Sequence, residues 1–314
     1  MSARLPYIDE IAPTPLTAVR LDEGGATIWC KLEFLNPSGS TKDRIARHIL
    51  QKAWDRGEIS GGDTVVEASS GSTSIAFALA CSQMGLKFIA YIPDSATSER
   101  ELIIRAYGGE VRRISGGMSN VLGEAYEAAE KHGWFAGKQF ANPDNTEAHR
   151  SRTGPEILTQ LNGTAVDAVV SGVGTGGTLR GLHEAFTQSG RCVRAVAAIP
   201  RQGEVFGSNV ECCSLRFSTD VPGVVDGMSE IYGSWKTNTV TELEVGDCEC
   251  LAVTKQLWSR GFPVGPSSGL NFAAAARVAA QVGFDKTVVT VFPDRMERYF
   301  SHKVFEQIRE EAHC

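Results

Sequence analysis

The sequence lacks a long hydrophobic run, a block of one charge sign and any paired-cysteine motif, and each absence excludes a class of function. The longest apolar stretches, such as Ile75–Cys81, are far shorter than the roughly 20 residues a membrane-spanning helix needs. Lysine and arginine number 31 against 37 acidic residues, for a net charge of −6, and no basic cluster offers a footprint for nucleic acid or anionic lipid. Residues 1–20 carry three prolines and the charges of Arg4, Asp9, Glu10 and Arg20, without the apolar core of a signal peptide, so a soluble cytoplasmic protein is expected. None of the eight cysteines forms a C-x-x-C pair: Cys212 and Cys213 are adjacent, and Cys248 and Cys250 are too close for a zinc knuckle without a second pair. Cys30, Cys81 and Cys192 lie in apolar segments and Cys314 ends the chain, so incidental thiols are expected, with neither metal site nor disulfides.

What is present is a globular composition, 42% apolar and 22% charged, over 314 residues, a length that suits two lobes. Strand-like and helix-like segments alternate. Strands are expected at Thr64–Glu67, Lys87–Pro93, Glu110–Ser115, Val166–Val173, Val193–Pro200 and Thr287–Phe292. Helices are expected at Ile75–Met84, Thr97–Tyr107, Ser119–His132, Glu147–Leu161, Leu179–Gln188, Cys250–Arg260 and Leu270–Gln281, several stopped by glycine. Such alternation predicts βαβ units and parallel sheet. Residues 201–246 read as irregular.

Three loops have the composition of anion sites. Ser171-Gly-Val-Gly-Thr-Gly-Gly-Thr178 follows an apolar strand and precedes a helix, where glycines admit an oxyanion to the backbone and free N–H groups point at it. Gly172, Gly174 and Gly177 also satisfy the dinucleotide pattern G-x-G-x-x-G. That fingerprint needs an acidic residue at the end of the next strand, where this chain has Ile199-Pro-Arg201. An anion loop, a nicotinamide site and a plain glycine turn all remain open on these residues. Glu67-Ala-Ser-Ser-Gly-Ser-Thr73 sets four hydroxyls around one glycine at a helix start, which suits a carboxylate or phosphate and equally suits simple capping. Gly265-Pro-Ser-Ser-Gly269 opens a third helix with the same two readings. Lys42, in Asn36-Pro-Ser-Gly-Ser-Thr-Lys-Asp-Arg44, opens a helix whose apolar face is Ile45, Ala46, Ile49, Leu50 and Ala53. The positive helix end and Arg44 disfavour its charged form, and a neutral amine is what Schiff-base chemistry requires. Spacing alone favours a solvated first-turn lysine, the commoner fate of a lysine.

Taken together, these segments resemble the cysteine synthase and cystathionine β-synthase family of pyridoxal-phosphate (PLP) enzymes, the fold-type II group. Phe34-Leu-Asn-Pro37 through Ser40-Thr-Lys-Asp-Arg44 is similar to the family's lysine motif, Glu67–Thr73 to its substrate-carboxylate loop, Gly174–Thr178 to its phosphate loop and Gly265–Gly269 to its pyridine-nitrogen loop. Pro13-Thr-Pro-Leu16, Gln139-Phe-Ala-Asn-Pro143 and Glu297-Arg-Tyr299 also fit, in the family's order. The resemblance implies two doubly wound α/β domains with the cofactor in the cleft between them: a smaller domain at 45–149 and a larger phosphate-binding domain of 1–44 and 150–314. It implies that Lys42 holds PLP and serves as the base, that Gly174, Thr175, Gly176, Gly177 and Thr178 bind the phosphate, and that Ser267 faces the pyridine nitrogen. Ser72 would stand beside the cofactor's 3′-oxygen, and Ser69, Ser70, Gly71, Thr73 and Gln139 would grip the amino-acid carboxylate. A homodimer is implied as well. The chain departs from the family at Ser72, where asparagine is usual, at Ser74 (glycine), at Ala68 (proline) and at Asp226, an uncharged residue in many relatives.

The implied activity is β-replacement in cysteine biosynthesis: O-acetylserine or O-phosphoserine plus sulfide or another nucleophile, through an aminoacrylate. A hydroxyl opposite the ring nitrogen leaves the pyridine largely unprotonated, and the weaker electron sink favours expulsion of a β-leaving group. β-Elimination of cysteine to sulfide, pyruvate and ammonia, a desulfhydrase activity towards which the Ser-Ser-Gly-Ser-Thr form of the loop leans, is the alternative. A phosphorylated donor calls for a cation, with Arg100, Arg105, Arg201 and Arg295 as candidates.

Overall fold

The computed structural model describes residues 12–188, 190–201, 228–237 and 239–312. Asp226, Cys212, Cys213 and Cys314 lie outside them. The chain forms two compact units: one contains Asn36–Ala148 and the segment from Arg298 onward, the other Pro13–Leu35 and His149–Glu297. This grouping places 36–44 and the residues after Glu297 with the smaller unit, whereas the sequence reading divides the chain at 44/45 and 149/150.

The first unit is built on a four-stranded parallel sheet in the order Glu110–Ile114, Lys87–Pro93, Thr64–Ala68, Phe135–Ala136. Alternate residues face opposite sides, as a pleated strand requires. Val65, Phe88, Ala90 and Ile92 join Ile45, Ile49, Ile75 and Phe77 from helices Lys42–Asp55 and Ser72–Met84, while Val66, Ala68, Ile89 and Tyr91 meet Val121, Ala125 and Ala129 of helix Met118–His132. The strand order reverses beside Thr64–Ala68, and in open α/β sheets the carboxyl ends of strands at such a reversal are where ligands bind.

The second unit has six strands ordered Leu16–Val19, Ile28–Lys31, Val288–Val291, Ala168–Gly172, Arg194–Arg201, Val240–Gly246. The first pair is antiparallel and the rest parallel. Val170 and Ala198 face helices Asp247–Ser259 and Pro266–Val282, whereas Val169 and Ala197 face Ile157 and helix Gly177–Thr187. Here the order reverses beside Ala168–Gly172, whose carboxyl end carries the glycine loop.

Three elements differ from expectation. The helix expected over Glu147–Leu161 is broken into Pro143–Ala148, a π-helical turn at His149–Thr153, and Gly154–Gln160. Pro155 lacks the N–H that a continuous ladder needs and is tolerated only in a first helical turn. Val240–Gly246 is a strand inside the region read as irregular; Leu243 and Val245 pack on one face of the sheet and Val240 on the other, so its apolar residues follow no simple alternation. The hairpin of Leu16–Val19 with Ile28–Lys31 is too short to register as periodicity.

Candidate active site

Lys42 is the first residue of its helix, at the dipole's positive end. Asp43 organises the loop before it: its Oδ2 accepts from Ser38 N–H (3.1 Å), Ser38 Oγ (2.7 Å) and Ser40 N–H (3.5 Å), and Ser40 Oγ accepts from Lys42 N–H (3.3 Å). Arg298 donates to the carbonyls of Ser38 and Gly39, which ties the chain's last segment to the lysine loop. Burial raises the Asp43 carboxyl to about 6, against the pull of the Ser38 hydrogen bonds and Arg298.

The hydroxyl loop leaves strand Thr64–Ala68 at the sheet's reversal. Gly71 has φ +134°, and a Cβ there would run into the side chain of Arg100, itself buried beneath the loop. Arg100 donates to the Ser70 carbonyl (2.7 Å) and lies over the Tyr299 ring, 4.9 Å from its centroid. Ser69 Oγ accepts from Gly71 N–H (3.0 Å) and Ser74 N–H (3.1 Å) and meets Ser74 Oγ at 2.7 Å. Thr73 donates to Gln139 Oε1 (2.7 Å), and Gln139 Nε2 donates to the Ala68 carbonyl (2.7 Å). Gln139 follows the neighbouring strand Phe135–Ala136, so the reversal brings Ser69, Ser70, Gly71, Ser72, Thr73 and Gln139 together. Behind them Glu67 is fully buried, held by the N–H groups of Ala68 and Gln139, and burial pushes its carboxyl up to about 8.

The glycine loop, Gly174–Thr178, runs into helix Gly177–Thr187 through Gly176 at φ +77°, a left-handed turn that glycine alone adopts without strain. The first turn of that helix presents amides with no intrahelical acceptor. The loop is held from several sides. Asn271 Oδ1 accepts from Gly172 N–H (2.6 Å) and its Nδ2 donates to the Val291 carbonyl (2.9 Å); Ser229 Oγ donates to the Thr175 carbonyl (2.5 Å). His149, fully buried, lies between Thr153 Oγ1 (3.0 Å) and Thr178 Oγ1 (3.1 Å). Sequence reasoning missed Asn271, Ser229 and His149. The available signal for the first was a lone amide in the run Leu270-Asn-Phe-Ala-Ala-Ala, on the apolar side of a helix.

Ser267 and Ser268 fall in the first turn of helix Pro266–Val282, one turn earlier than the pattern predicted, because Pro266 is compatible with helix entry. Both are buried, and Ser268 Oγ has no hydrogen-bond partner among the described residues. A Cβ at Gly269 would collide with the Cys250 carbonyl and Thr254 Oγ1, so this turn packs directly on helix Asp247–Ser259. Of the candidate cations, Arg105 pairs with Glu101 (2.8 Å) and Arg295 with Glu297 (2.5 Å), Arg100 is buried as described, and Arg201 is exposed at a strand end. Among the described residues no cluster of His, Cys, Asp or Glu is placed to hold a metal, and no helix is long and apolar enough to cross a membrane. Cys30, Cys81 and Cys250 are buried, with thiols raised by burial, and Cys192 and Cys248 are exposed.

The donor set fits PLP: an amine for an aldehyde, a backbone-lined turn at a helix start for a phosphate, and a hydroxyl rather than a carboxylate for a ring nitrogen. Comparison with known proteins agrees. Residues 7–294 match the family described as pyridoxal-phosphate dependent enzyme. A cysteine synthase of Staphylococcus aureus is 35% identical over 306 residues, covering 94% of this chain and 95% of that protein. O-ureido-L-serine synthase of Streptomyces lavendulae is 32% identical, covering 96% and 93%, and a crystal structure of O-ureido-L-serine synthase matches with a TM-score of 0.84 at 30% identity, covering 96% of this chain and 95% of that one. A hydrogen sulfide-producing enzyme from Fusobacterium nucleatum matches at 0.85 and 29%, covering 96% and 91%. With its lysine, hydroxyl and glycine motifs in the same order, the chain belongs to the pyridoxal-phosphate dependent enzymes, as a cysteine synthase-like member of fold type II with PLP as its cofactor.

Proposed function

We propose that the protein catalyses β-replacement on an activated serine, with sulfide or another small nucleophile entering at the β-carbon. The observation that carries this reading is the pairing of an amine at a helix start, Lys42, with a hydroxyl loop and Gln139 assembled at a sheet reversal, a site for an amino acid's carboxylate. The relatives named cysteine synthase and O-ureido-L-serine synthase support it. Pyridoxal phosphate supplies, when bound, an electron sink that makes an amino acid's α-proton acidic and its β-substituent labile.

The chain's own residues do the rest. Lys42, on its Asp43-braced loop, would hold the cofactor's aldehyde, and its Nζ would be the base that takes and returns a substrate's α-proton. The amides of Gly174–Thr178 and the Thr175 and Thr178 hydroxyls would hold the phosphate, Ser267 would serve the ring nitrogen and Ser72 the ring oxygen. Ser69, Ser70, Gly71, Thr73 and Gln139 orient the carboxylate. With Arg105 and Arg295 already paired to carboxylates, a substrate whose β-substituent is uncharged, such as an acetyl ester, is favoured over one carrying a phosphate ester. A cytoplasmic homodimer completes the proposal, to be checked by light scattering.

The test supplies the purified protein with O-acetyl-L-serine and sulfide and measures cysteine formed, with L-cysteine alone and pyruvate release as the second arm. Cysteine formation that disappears in Lys42→Ala is expected. Pyruvate and sulfide from cysteine, without replacement, would overturn the reading in favour of elimination.

A further inference from the structure

We propose that Ser74 is a positioning residue that weakens the grip of the hydroxyl loop on an amino acid's carboxylate, by accepting the single proton Ser69 has to donate. The proposal rests on the carboxylate-binding role given to that loop above. A serine hydroxyl has one proton and two lone pairs. Both lone pairs of Ser69 Oγ are filled, by the N–H groups of Gly71 at 3.0 Å and Ser74 at 3.1 Å. The 2.7 Å contact between the Ser69 and Ser74 hydroxyls is therefore donated by Ser69.

Both side chains are buried, at 2% and 0% exposure, so bulk water offers Ser69 no other acceptor. A carboxylate brings only acceptors, and it engages Ser69 Oγ only by displacing Ser74 from that proton. The incoming charge-assisted bond is the stronger of the two, so displacement is favourable, but its gain is reduced by the bond it breaks. Without a hydroxyl at position 74 the same proton lies buried and unmatched until a carboxylate arrives, and the discount vanishes.

The Thr73–Gln139 pair is closed separately, through the Ala68 carbonyl, so it does not depend on Ser74. The competition is thus local to two side chains five residues apart, joined where strand gives way to helix. Glycine is usual at this position in the family the sequence resembles, and it would leave the Ser69 proton uncontested.

The experiment titrates the PLP-loaded enzyme with L-alanine, which offers an amine and a carboxylate but no β-leaving group, and follows the cofactor's visible absorption. Ser74→Ala and Ser74→Gly are each expected to lower the dissociation constant about five-fold, the worth of one neutral hydrogen bond. In turnover of an activated serine the effect falls on KM and not on kcat. In a Ser69→Ala background Ser74→Ala is expected to change nothing; a purely structural role would move both backgrounds alike. An unchanged dissociation constant in both Ser74 variants, or an equal shift with and without Ser69, overturns the proposal while leaving the carboxylate loop intact. Failure of the parent enzyme to bind L-alanine at all, with its cofactor retained, overturns both the proposal and the carboxylate reading beneath it.

Discussion

The hydroxyl loop at 69–74 and the glycine loop at 172–178 occupy equivalent places, each after a central parallel strand at a reversal of strand order, yet they are built in opposite ways. In the hydroxyl loop the side chains themselves make the bonds: Ser69 binds Ser74 within the loop and Thr73 reaches out to Gln139, with Arg100 donating to the Ser70 carbonyl from outside. The glycine loop carries few side chains and is held from outside by Asn271, Ser229, His149 and the Tyr232 ring. The difference suits the roles proposed for the two loops. Backbone N–H groups fixed by external braces cannot turn away, which suits a group retained through every turnover. Hydroxyls that rotate suit a substrate that arrives and leaves.

The sharpest way to break the contrast is Gly176→Ala. At φ +77° a Cβ is strained, and it would lie 2.7 Å from the Tyr232 Cβ, so the turn must reopen. Cofactor retention is expected to fall about 100-fold, read as 5′-phosphate affinity by fluorescence titration, on the order of 3 kcal/mol. Ser70→Ala, in the other loop, is expected to retain PLP and raise KM. If Gly176→Ala kept its cofactor, the backbone account of this loop would be wrong.

Next in size is Asn271→Ala. It leaves the Gly172 N–H and the Val291 carbonyl buried without their partner, each worth roughly 1–3 kcal/mol. Thermal unfolding and cofactor affinity are expected to fall together, because the brace and the loop are one structure. Asn271→Asp is expected to be nearly as damaging, since it replaces the donor facing Val291 by a second acceptor.

How much of this was legible in the sequence follows from the same contrast. Taken singly, Lys42, Ser267 and the two loops also read as a solvated lysine, caps and a turn, and they become candidates only through their joint order along the chain and the resemblance it carries. The alternating pattern gave the parallel cores, because strands buried on both faces must be continuously apolar, as Val169 and Val170 are. Asn271, Ser229 and His149 were illegible, since each lies far along the chain from the loop it braces and looks like an ordinary polar residue, the first and last in helical stretches and Ser229 in a segment read as irregular. The break at His149–Thr153 was hidden likewise, its cause being Pro155 within an otherwise helical pattern.

A smaller effect separates the two loops by pH. Burial holds the Glu67 carboxyl at about 8 in the fold, against an ordinary value of 4.5. A folded value above the unfolded one contributes stability fully present below pH 4.5 and lost as pH rises through about 8. Glu67→Gln, neutral throughout and still able to accept from Ala68 N–H, is expected to escape that loss. Its melting temperature should match the parent below about pH 4 and exceed it by on the order of 5 °C at pH 9. Parallel melting curves over that range would show that Glu67 is already ionised and would remove the hydroxyl loop's buried acid.

The smallest effect distinguishes two neighbours in the third helix start. Ser268 Oγ is buried with no partner among the described residues, so its hydroxyl already bears a desolvation cost that alanine would relieve. Ser268→Ala is therefore expected to leave the melting temperature within about 1 °C or raise it slightly, with the absorption spectrum of the bound cofactor unchanged. Ser267→Ala is expected to shift that spectrum, because the proposed role at the ring nitrogen is given to Ser267. The pair sharpens the contrast between the loops by showing that a buried serine at a helix start binds only where something accepts its proton. A spectral shift in Ser268→Ala but not in Ser267→Ala would reverse the assignment of the two.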